Sequence, residues 1–270
     1  MQGEVAATCT GVVKIYETAT GEVHALKGID AMFREKSVTA VVGPSGSGKS
    51  SLLRIMAGLD RPTAGSVMIG DTELARMSPA GLRRIRRRLV GYVFQRPSDN
   101  LIPYLTVREH LEAAARLRGL AAANTEALLD RLGIGHRGDH YPHQISGGEQ
   151  QRTAFAQAVI GAPTLVVADE PTAELDSHSA NALLEIVSGL AWEGFSSFVI
   201  ATHDPTVVAD ADLTLSLRHG AMEAETHEAR ALSIIDDAGR IQLPPEALRL
   251  FPGRRALITQ EDDEVRITPP

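Results

Sequence analysis

Only one cysteine, Cys9, occurs in the 270 residues. An internal disulfide is therefore excluded, as suits a chain kept in a reducing compartment. No apolar run approaches the ~18–20 residues that span a bilayer. The N-terminal text lacks a basic-then-apolar signal segment. Positive charge is not in surplus either. The formal net charge is −7, which gives no global attraction to nucleic acid or acidic lipid. Repeats and low-complexity tracts are absent. Together these absences predict a soluble cytosolic chain with no nucleic-acid partner, whose membrane role would come through another protein. What remains is 43% hydrophobic and 23% charged, enough for one large core and a small appendage.

One stretch is unusually specific. Gly43-Pro44-Ser45-Gly46-Ser47-Gly48-Lys49-Ser50 matches G-x-x-x-x-G-K-[ST] in full. It follows the apolar run Val38–Val42 and precedes a helix-like segment, 49–57, stopped by Gly58. A strand, a glycine loop and a helix in that order make a phosphate cradle. The glycines let backbone N–H groups converge on phosphate oxygens. The helix adds its positive end. Lys49 is placed to reach the β- and γ-phosphates, and Ser50 to hold Mg²⁺.

The rest of the chain alternates. Residues 1–36 read as short strands, among them 12–16 and 25–29, and 66–69 is another. A strand over 89–94 ends at Gln95. Thr106 and Glu109 form a capping box that opens a helix to about Gly119. Residues 125–132 and Glu149 to Ile160 continue helical. The unbroken apolar run 165–168 predicts a parallel strand buried on both faces. A helix over 177–190 and a strand over 197–202 follow. Strands alternating with helices predict an α/β core with a parallel sheet. The helical stretch 101–160 reads as a lobe inserted between two core strands.

Asp169 and Glu170 stand at the carboxyl end of the 165–168 run, where open α/β sheets bind ligands. Asp169 can orient Mg²⁺, and Glu170 can polarise an attacking water. Ile145-Ser146-Gly147-Gly148-Glu149-Gln150-Gln151-Arg152 is a second glycine-rich entry to a helix, hence a second anion-binding end.

With two such ends, the chain resembles the nucleotide-binding subunit of ATP-binding cassette (ABC) proteins over residues from about 5 to 225. That family's signature loop reads L-S-G-G-[EQ], and here Ile145 replaces the Leu. The resemblance implies a P-loop nucleotide-hydrolase fold, with a RecA-like parallel-sheet core, an antiparallel β-subdomain and a helical subdomain. It implies ATP hydrolysis with Mg²⁺. The cradle residues are then Gly43, Ser45, Gly46, Ser47, Gly48, Lys49, Ser50 and Ser51. Tyr16 matches the aromatic that stacks on adenine, its other reading being a half-buried strand tyrosine. Gln95 matches the glutamine that senses Mg²⁺ and water, joining Ser50 and Asp169 as metal residues. His203, after Thr202, matches the histidine that contacts the γ-phosphate. With Glu170 and Gln95 it makes up the catalytic set. Asp176 matches the D-loop, although Ala173-Glu174 departs from the commoner Gly-Asn or Gly-Ala. Ser146, Gly147 and Gly148 serve the partner's site, because in this family each ATP lies between two chains.

The segments Ala57–Gly65, Gly91–Gln95 and Ala168–Thr172 resemble the branch that serves export or mechanotransmission permeases. These include the lipoprotein-releasing, macrolide-export, antimicrobial-peptide-resistance and cell-division systems. The implied partners are an integral-membrane permease supplied by another chain and a second ATPase, the same chain or a sister. The surface from Arg96 to Leu105 would receive a cytoplasmic helix of the permease. Leu101, Ile102, Tyr104 and Leu105 would line it, half of them packing inside the lobe instead. The protein would then sit on the cytoplasmic face of the membrane through its permease. The alternative is a soluble ABC ATPase regulator with no permease. The basic cluster 81–88 reads as a solvated helix face or a contact with lipid headgroups. Residues 1–230 form the expected ATPase domain. Residues 231–270 form a small β-rich C-terminal domain, with strands near 232–236 and 239–244, a short helix near 246–250, and a final hairpin at 256–260 and 265–268. This tail resembles the AbrB-like swapped-hairpin domain, which implies dimerisation. Its acidic balance argues against the DNA binding usual for that family. A tail docked on its own ATPase domain is the other reading.

Overall fold

The computed structural model describes residues 4–19, 21–120, 125–227, 230–233, 251, 256–261 and 264–268. The chain opens with two long strands, β1 (Val5–Thr18) and β2 (Gly21–Arg34), paired antiparallel. This corrects the expectation of several short strands. Register shifts interrupt the pairing between Cys9 and Val12, beside left-handed Gly11 (φ 55) and Gly28 (φ 88). Such bulges break the two-residue apolar rhythm without ending the strand. The hairpin buries Cys9, and burial pushes its thiol up to about 12, with Asp30 adding to the shift.

Strand β3 (Val38–Val42) leads through the glycine loop into α1 (Lys49–Met56). Strands β4 (Ala64–Ile69) and β5 (Thr72–Glu73) complete a four-stranded sheet in the order β2-β1-β4-β5. Ser78 caps α2 (Pro79–Arg88), which leads to β6 (Val90–Val93) and the single turn α3 (Pro97–Asn100). The lobe then follows as α4 (Val107–Arg118), α5 (Thr125–Arg131) and α6 (Gly147–Val159). The starts of α4 and α6 are both sharp. Thr106 with Glu109, and Ser146 with Glu149, each form a reciprocal capping box. The second helix therefore begins at Gly147, two residues before its expected start.

Strand β7 (Leu165–Asp169), helix α7 (Ser177–Trp192), strand β8 (Ser197–Ala201) and helix α8 (Pro205–Asp210) return the chain to the core. Strand β9 (Leu213–Arg218) is followed by β10 (Ala221–His227) and β11 (Arg230–Ser233). The seven-stranded sheet runs β11-β10-β9-β3-β8-β7-β6, parallel from β9 to β6. Its edge strand β11 pairs with β10 and so crosses the expected boundary at 230/231. A separate hairpin joins β12 (Leu257–Glu261) to β13 (Glu264–Thr268), close to the expected final hairpin. The expected strand over 239–244 and the helix near 246–250 lie outside the described residues.

The central strands explain the alternation of the cores. Val166, Ala168, Phe198 and Ile200 point into one apolar cluster, shared with the lobe and α7. Leu165, Val167, Val199 and Ala201 point into the other, shared with α1 and the antiparallel sheet. Each large side chain buried this way stabilises by about 1.5–3 kcal/mol. The lobe approaches the sheet closely at Gly91. A Cβ there would overlap the Ala158 carbonyl on α6. Gly91→Ala should therefore destabilise by about 1–3 kcal/mol through overpacking. Denaturant unfolding of the two chains checks it, and an unchanged midpoint would show that β6 and α6 can separate freely.

Candidate functional site

The glycine loop begins where β3 leaves the core. Backbone conformation fixes two of its glycines. Gly43 has φ 148, and a Cβ there would overlap the Leu217 carbonyl. Gly48 is the N-cap of α1 with φ 107, and a Cβ there would overlap the Ala25 carbonyl. Only glycine satisfies both the angle and the space. Lys49 is nearly buried, 8% exposed. Its Nζ donates to the Gly43 carbonyl at 2.8 Å and the Pro44 carbonyl at 3.4 Å, and lies 3.8 Å from Glu170 Oε1. The Ser47 hydroxyl beside it is buried with no hydrogen-bond partner.

The carboxylates meet this loop from β7. Burial pushes the Asp169 carboxyl above its ordinary range, partly offset by a hydrogen bond from Ser50, while Glu170 pushes it further up. Glu170 has a left-handed backbone, φ 47. That conformation is uncommon for a non-glycine residue and marks stored strain. Its N–H donates to the Ala201 carbonyl at 2.8 Å. Its Oε2 lies 2.6 Å from Nδ1 of His203, the exposed residue two positions after β8. A bond between Thr172 Oγ1 and Asp204 Oδ2, 2.9 Å, ties the turn after β7 to the loop after β8.

Tyr16, Gly43, Ser45, Gly46, Ser47, Gly48, Lys49, Ser50, Ser51, Gln95, Asp169, Glu170 and His203 line one cavity of about 660 Å³. That size suits a nucleotide-scale ligand. Ser50 and Asp169 bring a hydroxyl and a carboxylate together, with the Gln95 amide in the same wall. Oxygen donors of this kind fit Mg²⁺. The structure also brings in residues that the sequence reading missed. The Tyr16 hydroxyl lies 2.9 Å from Asp60 Oδ2 and 3.4 Å from Ser51 Oγ. Lys14 Nζ donates to Asp60 Oδ1 at 2.7 Å and sits 4.7 Å from the Tyr16 ring centroid. The tyrosine is thus held at its hydroxyl and covered on one face. No local sequence signal links residues 44 apart; only the β1–β4 pairing does.

Four candidate residues lie elsewhere. Ser146, Gly147, Gly148 and Asp176 do not line the cavity. Ser146 and Gly147 are exposed at the start of α6. A Cβ at Gly148 would come within 3.1 Å of the Ser179 side chain. Ser179 in turn donates to both carboxylate oxygens of Asp176, the N-cap of α7, at 3.0 and 2.8 Å. The four therefore form a second, neighbouring cluster.

The family model described as "ABC transporter" matches residues 26–173, just over half of the chain. The chain belongs to the ABC transporter family. Its fold and its chemistry are those of an ATPase cassette that uses ATP and Mg²⁺. The lipoprotein-releasing system ATP-binding protein LolD of Shewanella oneidensis is 38% identical over 216 residues, 78% of this chain and 93% of that protein. The macrolide export ATP-binding/permease protein MacB of Rhodospirillum rubrum is 36% identical over 231 residues, 84% of this chain and 33% of that protein. Among solved structures, the dimeric cassette MJ0796 in a post-hydrolysis state with ADP and Pi has TM-score 0.76 and 31% identity, covering 84% of this chain and 100% of that one.

In this cassette Glu149 holds the start of α6. Burial alone would raise the Glu149 carboxyl, but the Arg137 guanidinium and the Ser146 N–H and hydroxyl hold it down to about 2. Arg137 Nε and the Ser146 N–H each lie 2.8 Å from it. A carboxyl depressed in the folded state stabilises above its unfolded value of 4.5, and that contribution fades as pH falls toward about 2. The melting-temperature gap between the native chain and Glu149→Gln should therefore be full above pH 4.5 and shrink below it. Parallel acid profiles would show that the pair with Arg137 does not form.

Proposed function

We propose that the chain is the ATP-hydrolysing subunit that drives an integral-membrane permease carried on another chain, of the export or mechanotransmission type. The observation that carries this reading is the division of the site. The cavity gathers the phosphate cradle, Asp169, Glu170, Gln95 and His203, while Ser146 and Gly147 stand exposed outside it and Gly148 is buried behind them. A γ-phosphate needs donors on both sides, and one chain supplies one side. Two cassettes packed head to tail, identical or sister, complete two composite sites. The LolD relative is named as the ATP-binding protein of a releasing system, and the MacB relative joins an ATP-binding part to a permease in one name. The MJ0796 cassette is dimeric. No described helix is long and apolar enough to cross a membrane, so this reading places the chain on the cytoplasmic face through its permease.

Within each site, Tyr16, steadied by Asp60, packs on the base. The loop N–H groups and Lys49 hold the phosphates. Ser50, Gln95 and Asp169 would hold Mg²⁺, which supplies charge neutralisation when bound. Glu170 takes a proton from the attacking water as its oxygen bonds to the γ-phosphorus and the bond to the β-γ bridging oxygen breaks. His203 contacts the γ-phosphate. Ser146, Gly147, Gly148 and Asp176 serve the partner's site. The permease helix meets the surface from Arg96 to Leu105. There Ile102 and Tyr104 are exposed, at 41% and 76%, while Leu101 is buried in the lobe.

Glu170→Gln should keep ATP binding, lose at least about 10²-fold in turnover, and accumulate as a nucleotide-bound dimer. Steady-state hydrolysis and light scattering with ATP check both parts. Near-normal turnover would remove Glu170 from the base role.

For residues 231–270 the reading is an AbrB-like swapped hairpin that pairs two chains. Its support is the two-stranded sheet β12–β13, which pairs with no other strand among the described residues and whose Leu257 and Ile258 are 51% and 67% exposed. A lone two-stranded hairpin is marginal in water and gains from association. A chain ending at Ser233 keeps β11 in the sheet and every candidate site residue. Without nucleotide it should be monomeric, while the full chain stays dimeric. Equal masses for the two by light scattering would reduce the tail to a docked appendage.

A further inference from the structure

Gln95 stands beyond the last ladder pair of β6, Val93 with Ala168. Residues 94–96 are exposed and lie past the end of the strand. Among the described residues the Gln95 side-chain amide makes no hydrogen bond of its own. Its place in the cavity wall is therefore set by its backbone. That stretch of backbone needs a holder outside the sheet.

The holder is the side chain of Asn100. The Phe94 N–H donates to Asn100 Oδ1 at 2.9 Å. Asn100 Nδ2 donates to the Phe94 carbonyl at 3.1 Å and to the Arg96 carbonyl at 3.0 Å. One amide thus satisfies backbone groups on both sides of Gln95. Turned end for end, it would set its NH2 group against an N–H and its oxygen against two carbonyls, so only one orientation fits. An aspartate of the same size would bring a carboxylate against both carbonyls. An apolar residue would leave all three backbone groups unmatched.

Asn100 is anchored in its turn. It ends the single turn α3, which is entered at buried Pro97 and followed by buried Leu101. Its carbonyl accepts from Gln157 Nε2 of α6 at 3.3 Å. Two residues on, the Ile102 N–H donates to Nε2 of buried His110 at 2.7 Å, and Nδ1 of that ring lies 2.7 Å from the Thr106 carbonyl. A neutral imidazole with its proton on Nδ1 makes both bonds. The clamp on residues 94–96 is thereby fastened to two helices of the lobe.

We propose that Asn100 is the positioning residue for Gln95, its amide fixing the backbone that aims the Gln95 side chain toward Mg²⁺ and the attacking water. The proposal rests on the metal role given to Gln95 above. Asn100 does not line the ATP cavity. It acts only through the path of residues 94–96. A residue that merely stabilised the turn would change the melting temperature without a selective effect on the metal.

The test uses the full-length chain. Without nucleotide or metal, the amide hydrogens of residues 94–96 in Asn100→Ala should exchange at least about 10-fold faster, through local opening alone. Those of α1 should not change. Metal binding is then read in a Glu170→Gln background with ATP present, using Mn²⁺ followed by electron paramagnetic resonance. Asn100→Ala should raise the half-filling Mn²⁺ concentration about 10-fold, the usual size of an outer-shell loss. ATP affinity without metal should stay within about twofold, because the phosphate cradle lies elsewhere. Gln95→Ala should weaken Mn²⁺ binding at least as much, and adding Asn100→Ala to it should change the value by less than about twofold. Asn100→Asp should behave as Asn100→Ala does, which separates the lost donor bonds from any repacking of a smaller side chain. The proposal is overturned by faster exchange with unchanged Mn²⁺ affinity, by an Asn100→Ala effect that persists in full beside Gln95→Ala, or by native behaviour of Asn100→Asp. Exchange accelerated throughout the chain overturns it too, because the residue is then structural. If Gln95→Ala binds Mn²⁺ as the native chain does, the metal role of Gln95 falls and the proposal falls with it. If Gln95→Ala weakens the metal and Asn100→Ala does not, only the proposal falls.

Discussion

Strands β3, β7 and β8 are buried on both faces, so they can present polar groups only along their own axes. That constraint organises the chemistry. Asp169 and Glu170 emerge from the end of β7, His203 from the end of β8, and the glycine loop from the end of β3. Parallel register brings all three ends to one edge. A charge placed anywhere else on these strands would lie in an apolar core and cost several kcal/mol. The site therefore stands where it does because burial forbids the alternatives.

The local parts of this arrangement were legible in the sequence. The phosphate loop, the carboxylates after 165–168 and the capping box at Thr106 are each written within a few residues. Their physics is equally local: a φ, an N-terminal dipole, a cap. What escaped is written across long separations. Asp60 reaches Tyr16 only because β1 and β4 pair. Thr172 meets Asp204 only because β7 and β8 are neighbours. The long hairpin β1–β2 looked like fragments because bulges at Gly11 and Gly28 reset the alternation. The edge strand β11 joined the main sheet through pairing with β10, which its own few residues could not announce.

The internal contacts of the site have a cost. Glu170 holds a left-handed backbone, and its carboxylate is shared between Lys49 and His203. Lys49 in turn leans on the loop carbonyls that a phosphate would displace it from. Nucleotide entry must exchange these internal contacts for new ones. The gain in affinity from each new bond is correspondingly less than its gross strength.

The burial of Cys9 reaches beyond stability. Thiolates, not thiols, react with alkylating reagents, and a group held at about 12 is almost wholly protonated at neutral pH. The sole sulfhydryl of the chain is thus silent. A cysteine introduced at any exposed position becomes the single address for a dye or spin label. Distances between paired cassettes can be followed through a hydrolysis cycle without first engineering the native residue away.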